Sequence, residues 1–327
     1  MLLTDTHQHQ NRALIRSLNA SPDHLCNLTE HLHLTVDIST PLQPQFGEFP
    51  VLKKVEKLTI DTHRRIRFVW QMLRQPLQDE LVSMARWPGI RQLHIMDVTG
   101  VPLVFLISCI SLDSLVLRGA AGFEMDFLSH AVSLMLPLTP SGRPAPLTHK
   151  SIRKVSVEFW SENGITRFRT LMNTTAPVIR HLTMNFFRTV IVTLPQTLLN
   201  LHVLTIRPGQ LEMLLCTPDI LRSVPAGAPL EQVRFNMDSR TIYNATEAAP
   251  TWHDIDGLLA RDSDQDANPE ARKIGLHIFN LHWNSADGSV REYFTQAMPR
   301  LIASGCLSVR LGNGEEVFPA ASVAENI

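Results

Sequence analysis

The chain has 327 residues, 44% of them apolar and 19% charged. That length and apolar content can bury a sizeable core, which excludes a disordered segment and a disulfide-stapled mini-protein. Its 30 Lys and Arg are balanced by 31 Asp and Glu, so no global field favours nucleic acid or an anionic membrane, and neither is expected as a partner.

The first 20 residues form a polar N-terminal segment. The start, MLLTDTHQHQNR, has no basic region, and its apolar run is too short for a secretory leader. Asp5-Thr6-His7-Gln8-His9 places a His-x-His after that run. This resembles the metal-binding first strand of amidohydrolases and related metal-dependent nucleases. The resemblance implies a divalent ion on His7 and His9 that activates water. Such enzymes also draw histidines and an aspartate from later strand ends, and no acidic strand-end motif is found in the last third of the chain. A metal-dependent hydrolase is therefore the second reading, and a solvated terminus the first.

Residues 21–315 carry a repeat. The template apolar-x-x-apolar-x-apolar recurs as Val55/Leu58/Ile60, Ile90/Leu93/Ile95, Leu112/Leu115/Leu117, Ile152/Val155/Val157, Ile179/Leu182/Met184 and Leu201/Leu204/Ile206. Weaker copies are Leu230/Val233/Phe235, Ala271/Ile274/Leu276 and Cys306/Val309/Leu311, with a further one around Leu32 and Leu34. Alternation of this kind predicts short strands. One strand with one apolar face is not stable alone, but parallel stacking of the copies buries those faces in a continuous core. The spacing of central residues runs from 22 to 41. The short end matches the ~20–29 residues of a leucine-rich repeat, and the long end requires inserted loops or helices.

The predicted fold is α/β, an irregular leucine-rich-repeat solenoid with parallel strands on the concave side and helices and loops on the convex side. Helical spacing is expected in residues 65–85, interrupted at Pro76, with further helices opening at Pro102 and within 211–216 and 255–260. The apolar run at 101–117 contains Ser108, Ser111, Asp113 and Ser114, and falls short of the ~20 residues of a membrane span. Loops are predicted near 137–150, which is rich in Pro, Ser and Gly, and across 248–270. Asp262, Asp264 and Asp266 in the second loop lack the glycine and glutamate of a calcium loop. Residues 316–327 are predicted as a tail.

Regular leucine-rich repeats carry Asn or Cys three residues past the last strand leucine. Here those places hold His63, Val98, Ala120, Trp160, Phe187, Gly209 and Asp238, so an irregular solenoid is expected. Cys26, Cys109, Cys216 and Cys306 are far apart. They predict reduced thiols in a cytoplasmic or nuclear protein, with neither a zinc cage nor a disulfide framework. The sequence contains no nucleophile elbow, P-loop, dinucleotide fingerprint or H-E-x-x-H, so no enzyme and no cofactor are expected.

Residues between the inward positions line the predicted concave face. That face holds seven Lys or Arg, including Lys57, Arg118, Lys154, Arg207, Arg234 and Lys273, against the two carboxylates Asp61 and Glu158. His94 and His181 lie among them. A basic surface suits an acidic or phosphorylated protein segment, because arginine forms bidentate charge-assisted bonds with such groups. The predicted partner-binding residues are Lys57, His94, Arg118, Lys154, His181, Arg207, Arg234 and Lys273.

The strands V-x-K-L-T-I, I-R-Q-L-H-I, L-D-S-L-V-L and I-R-H-L-T-M, with Ser21-Pro22-Asp23-His24-Leu25 and Leu32-His33-Leu34 before them, resemble the irregular leucine-rich-repeat region of fungal F-box-like proteins. The resemblance implies that the repeats capture substrates for ubiquitination by a cullin-type ligase. It also implies an adaptor held by an F-box helix bundle. No F-box is visible in this sequence, so the adaptor link rests on the resemblance alone.

Overall fold

A computed structural model describes residues 2–3, 20, 28–36, 52, 54–62, 68–73, 75–119, 123–124, 151–159, 162–237, 245–260, 274–283 and 289–318. The fold is mixed α/β and its strands are mostly parallel. The chain divides into two compact units, the first comprising residues 1–157 and 166–178, the second 158–165 and 179–327.

In the first unit, strands β1 (Leu2–Leu3), β2 (His31–Val36) and β3 (Lys57–Thr62) stand side by side. Then come β4 (Phe68–Val69), helix α1 (Gln75–Ala85), β5 (Gln92–Met96), β6 (Val98–Thr99), β7 (Val101–Pro102) and α2 (Leu103–Ser108). β8 (Ser114–Arg118), β9 (Phe123–Glu124) and β10 (Lys154–Phe159), of which residues 158 and 159 are assigned to the second unit, complete its strands. The sheet order is β1-β2-β3-β5-β8-β10, all parallel, with β4–β6 and β7–β9 as short side pairs.

Helix α3 (Glu162–Thr175) leads to the second unit. There β11 (His181–Phe186), β12 (Val203–Pro208), β13 (Gln232–Asn236), β14 (Gly275–Leu281) and β15 (Leu307–Leu311) are parallel in that order. β16 (Glu316–Phe318) returns antiparallel to β15. Between these strands run α4 (Leu211–Leu215), α5 (Thr217–Arg222), α6 (Ala245–Ala260), α7 (Val290–Ala297) and α8 (Pro299–Ala303).

Each of the ten predicted copies coincides with a strand or overlaps one. Inward residues are buried throughout: Leu32, Leu58, Leu93, Leu115, Val155, Leu182, Leu204, Val233 and Leu276 are 2% exposed or less. A second regularity is carried by the backbone. Two successive N–H groups at the start of one strand donate to a single carbonyl just before the preceding strand. Glu56 and Lys57 donate to Glu30 O at 2.8 and 3.1 Å, Arg91 and Gln92 to Glu56 O at 2.8 and 2.9 Å, and Asp113 and Ser114 to Arg91 O at 2.9 Å each. The joint recurs at Asp113, and in the second unit at Arg180 and His202. The same leader segment is thus folded the same way copy after copy, which a chance scatter of leucine triplets does not require.

The register corrects the two weakest copies. Val233 pairs with Leu276 and not with Ile274, and Leu276 pairs in turn with Leu307 and not with Val309. Both frames slip by two residues. A period of two fixes which face a residue occupies but leaves a two-residue slip undetectable.

The predicted helix over 65–85 is shorter than expected. β4 and a 3₁₀ turn at Trp70–Met72 precede α1, which begins at Gln75 with Pro76 in its first turn, where a missing N–H is harmless. The loop predicted across 248–270 is also corrected, because residues 248–260 belong to α6. Ala248, Trp252, Ile255 and Leu259 are buried at helical spacing, and the helix carries Pro250 in its interior. The predicted tail begins too early, since 316–318 form β16. The predicted loop near 137–150 and most of the N-terminal segment lie outside the described residues.

In the second unit α6 is the helix that others meet: α4, α5, α7 and α8 all pack on it. Trp252 of α6 is fully buried and edges onto Phe235 of β13 and Phe294 of α7, with centroids 5.3 and 5.8 Å away. Inward strand residues therefore face the helices, and the alternate residues face away from them. At two of the places where a regular repeat carries its Asn, Phe187 and Gly209, backbone bonds close the turn. Gly209 N–H donates to Phe186 O at 2.7 Å and Phe187 N–H to Phe159 O at 3.0 Å, while the rings of Phe159 and Phe186 stack at 5.0 Å.

Candidate functional site

The parallel register sorts the outward side chains into rows. In the first unit one row runs His31, Lys57, Gln92, Ser114, Lys154, and the next runs His33, Thr59, His94, Val116, Ser156. Beyond them Thr35 pairs with Asp61, and Met96 with Arg118. In the second unit one row runs His181, Val203, Gln232, Gly275, and the next Thr183, Thr205, Arg234, His277, Ser308. Asn185 pairs with Arg207.

Seven of the eight predicted site residues can be placed. Lys57, His94, Arg118 and Lys154 lie on the outward face of the first unit, and His181, Arg207 and Arg234 on that of the second. His94 and Lys57 are half-buried, and the other five are exposed. Lys273 lies outside the described residues, and the slipped frame of β14 pairs His277 with Arg234.

Some of the positive charge is already held. Gln232 Oε1 accepts from Arg234 Nε and Nη2 at 3.0 and 2.6 Å, which lays the guanidinium flat along its own strand. Arg310 is ion-paired with Glu316 across the β15–β16 pair.

The histidines define the electrostatics. His31 Nε2 lies 2.9 Å from Thr59 Oγ1, and the His31 and His33 rings stack with centroids 6.3 Å apart. His33 Nε2 is 3.6 Å from an Asp61 carboxylate oxygen. Burial, then Lys57, Arg118 and His31, push the His94 imidazole down to about 4. Burial and Lys57 lower His31, and burial and Arg234 lower His277. These rings are neutral at pH 7 in a positive field.

Sequence reasoning passed over two features. His31 and His33 alternate with Leu32 and Leu34 and so share the outward face; the alternation was legible, but the copy was not assigned a full template. The second feature is a cleft of ≈ 240 Å³ lined by Arg222, His253, Asp254, Asp256, Gly257, Leu258 and Arg300. No local signal marks it, because tertiary packing assembles it. Its best-placed groups tie helices together. The buried Asp256 carboxylate accepts from the backbone N–H of Leu301 at 2.8 Å and of Arg300 at 3.3 Å. Arg222 bridges Asp219 and Asp254 at 2.7 and 3.7 Å.

No group of three or more His, Cys, Asp or Glu among the described residues is arranged to hold a metal ion. His7, His9 and the aspartates at 262–266 lie outside the described residues. Cys109 is buried beside its own helix, where burial pushes the thiol up to about 12, and its Sγ donates to Phe105 O at 3.4 Å. That is an inert core thiol and not a nucleophile. No helix among the described residues is long and apolar enough to cross a membrane. Compared with protein-family models and with curated proteins, the chain matches none in either set.

Proposed function

We propose that the chain is a non-catalytic protein-binding domain of irregular leucine-rich-repeat type, whose outward strand face takes an acidic or phosphorylated segment of a partner. The observation that carries this reading is the alignment of outward residues by a parallel register. Lys57 and Lys154 share one row, Arg118 stands at the end of β8, and Arg207 and Arg234 stand on neighbouring strands of the second unit. A row of parallel strands presents side chains at regular intervals of roughly 4.8 Å, a spacing that suits an extended peptide crossing the strands. The solenoid form is supported by the recurring joint in which two N–H groups share one carbonyl of the previous copy.

Substrate capture for a cullin-type ubiquitin ligase is the cellular role implied by the resemblance to fungal F-box-like proteins. It stands on the strand sequences alone. The test is affinity purification of wild type beside the double charge reversal Arg207→Glu, Arg234→Glu, with bound proteins identified. The expected result is a set of partners bearing acidic or phosphorylated segments that the double variant loses, with a ligase adaptor retained by both. An unchanged partner set would overturn the basic-face reading, and absence of any adaptor would remove the ubiquitin link.

A further inference from the structure

On the outward face of the second unit an acceptor is buried without a donor. Asn185 of β11 is 8% exposed, and among the described residues its Oδ1 has no hydrogen-bond partner. Alternation with the buried Leu182 and Met184 turns Asn185 outward. A buried polar group left unpaired is costly, and each one in a native fold asks for an explanation.

The register partner of Asn185 is Arg207 of β12. Arg207 is exposed, and its guanidinium has neither a hydrogen bond nor an ion pair among the described residues. Arg234 of β13 pairs with Thr205, two residues before Arg207, which sets the two arginines on a diagonal of roughly 7–8 Å. The Arg234 guanidinium is tied to Gln232 Oε1, a neutral oxygen that leaves its charge uncompensated. Burial, then Arg234, hold the neighbouring His277 imidazole below its ordinary value. No outward position of β11, β12, β13 or β14 carries a carboxylate. Glu158 lies on β10, with β11 between it and Arg207, and Glu316 is ion-paired with Arg310.

We propose that Asn185, Arg207 and Arg234 form a docking point for an extended partner segment that carries two carboxylates on alternate residues. The proposal rests on the protein-binding reading above and gives the chemistry at one point of that face. Asn185 Oδ1 accepts a main-chain N–H of the segment, so proline is excluded at that position. Arg207 takes one carboxylate and Arg234 the other, each through charge-assisted bonds. In an extended chain alternate residues share one side and lie roughly 6.6–6.8 Å apart, which matches the diagonal between the two arginines. Gln232 pairs with Val203, four residues short of Arg207, so its bond draws the Arg234 charge along the strand away from Arg207. Two separate acids suit charges spread in this way. A single phosphate would have to pull both guanidinium groups together and break the bond to Gln232.

The experiment uses the full chain and fluorescent degenerate peptides with a Glu-x-Glu core, beside Gln-x-Glu, Gln-x-Gln and single-phosphoserine counterparts, read by anisotropy. The Glu-x-Glu set is expected to bind at least tenfold more tightly than each of the others. Arg207→Gln and Arg234→Gln should each lose roughly tenfold, the size of a lost charge-assisted bond. Asn185→Leu should weaken binding while leaving the urea midpoint no lower, because it removes an unpaired buried acceptor. Methylation of the peptide's main-chain nitrogens, one at a time, needs no variant of the protein. One position should lose roughly tenfold on wild type and nothing further on Asn185→Leu. A scan with no sensitive position would overturn the docking point, as would affinity indifferent to Arg207→Gln and Arg234→Gln. Glu-x-Glu peptides that bind no better than single-acid or phosphoserine peptides would also overturn it. Acidic-peptide binding lost on Lys57→Gln, Lys154→Gln but kept by Arg207→Gln, Arg234→Gln would place the ligand on the first unit, which sinks this docking point and leaves the broader protein-binding reading standing.

Discussion

At the scale of single residues, two positions show how the face and the turns are held. Gly209 closes the turn after β12, and a Cβ placed there would sit 2.3 Å from the Phe186 carbonyl oxygen that its own N–H bonds. That oxygen belongs to the backbone and cannot step aside. Gly209→Ala is expected to cost about 2–3 kcal/mol, read as a lower urea midpoint with an unchanged slope. His94 makes the opposite kind of contribution, because its surroundings disfavour a proton. Its value falls from 6.5 in a free chain to about 4 in the fold, so the unfolded state binds more protons between those limits. Stability therefore rises with pH across that window and is lost as pH falls from about 6.5 toward 4. The lowered His31 and His277 add in the same direction. His94→Gln should flatten the pH dependence of the unfolding midpoint over this range without changing the midpoint at pH 8. A slope identical to that of wild type would contradict the assignment.

At the scale of elements, α6 and α8 are joined by one buried carboxylate. Asp256 caps the backbone N–H groups that open α8, and neither is satisfied within so short a helix. Asp256→Ala is expected to cost about 2 kcal/mol, and Asp256→Asn, which keeps one acceptor, less than half of that; urea unfolding of both variants checks the order. The elements also show what a sequence makes legible. The strands were legible because alternation is a local property, and Leu32, Leu58, Leu93 and Leu115 stand in one register as the template requires. Helix α6 was not legible as far back as Ala245, because Pro250 and nearby polar residues masked the buried stripe of Ala248, Trp252, Ile255 and Leu259. The frame of β14 was missed for a different reason: Ile274 and Leu276 satisfy the same alternation, and only pairing with Val233 selects between them. The charged rows were legible as a composition, seven cations against two carboxylates. Which of these cations are already engaged was not legible, since Arg234–Gln232 and Arg310–Glu316 depend on side-chain geometry.

At the scale of the molecule, each unit repeats one solution. A leader segment offers a carbonyl, two N–H groups of the next copy take it, a short strand follows, and its inward residues bury against the same core. Repetition of that joint sets outward residues of successive strands in rows within each unit, among them Lys57, Arg118 and Lys154 in the first and Arg207 and Arg234 in the second. The central claim, put forward here as a proposal, is that these rows bind by charge. The most direct measurement is titration of acidic, neutral and basic degenerate peptides into wild type and into a four-fold reversal, Lys57→Glu, Arg118→Glu, Arg207→Glu, Arg234→Glu, at low and at physiological salt. The account requires acidic peptides to bind wild type, to weaken as salt rises, and to lose at least tenfold on reversal while basic peptides gain. Acidic peptides that bind both proteins alike, or neither, would contradict it.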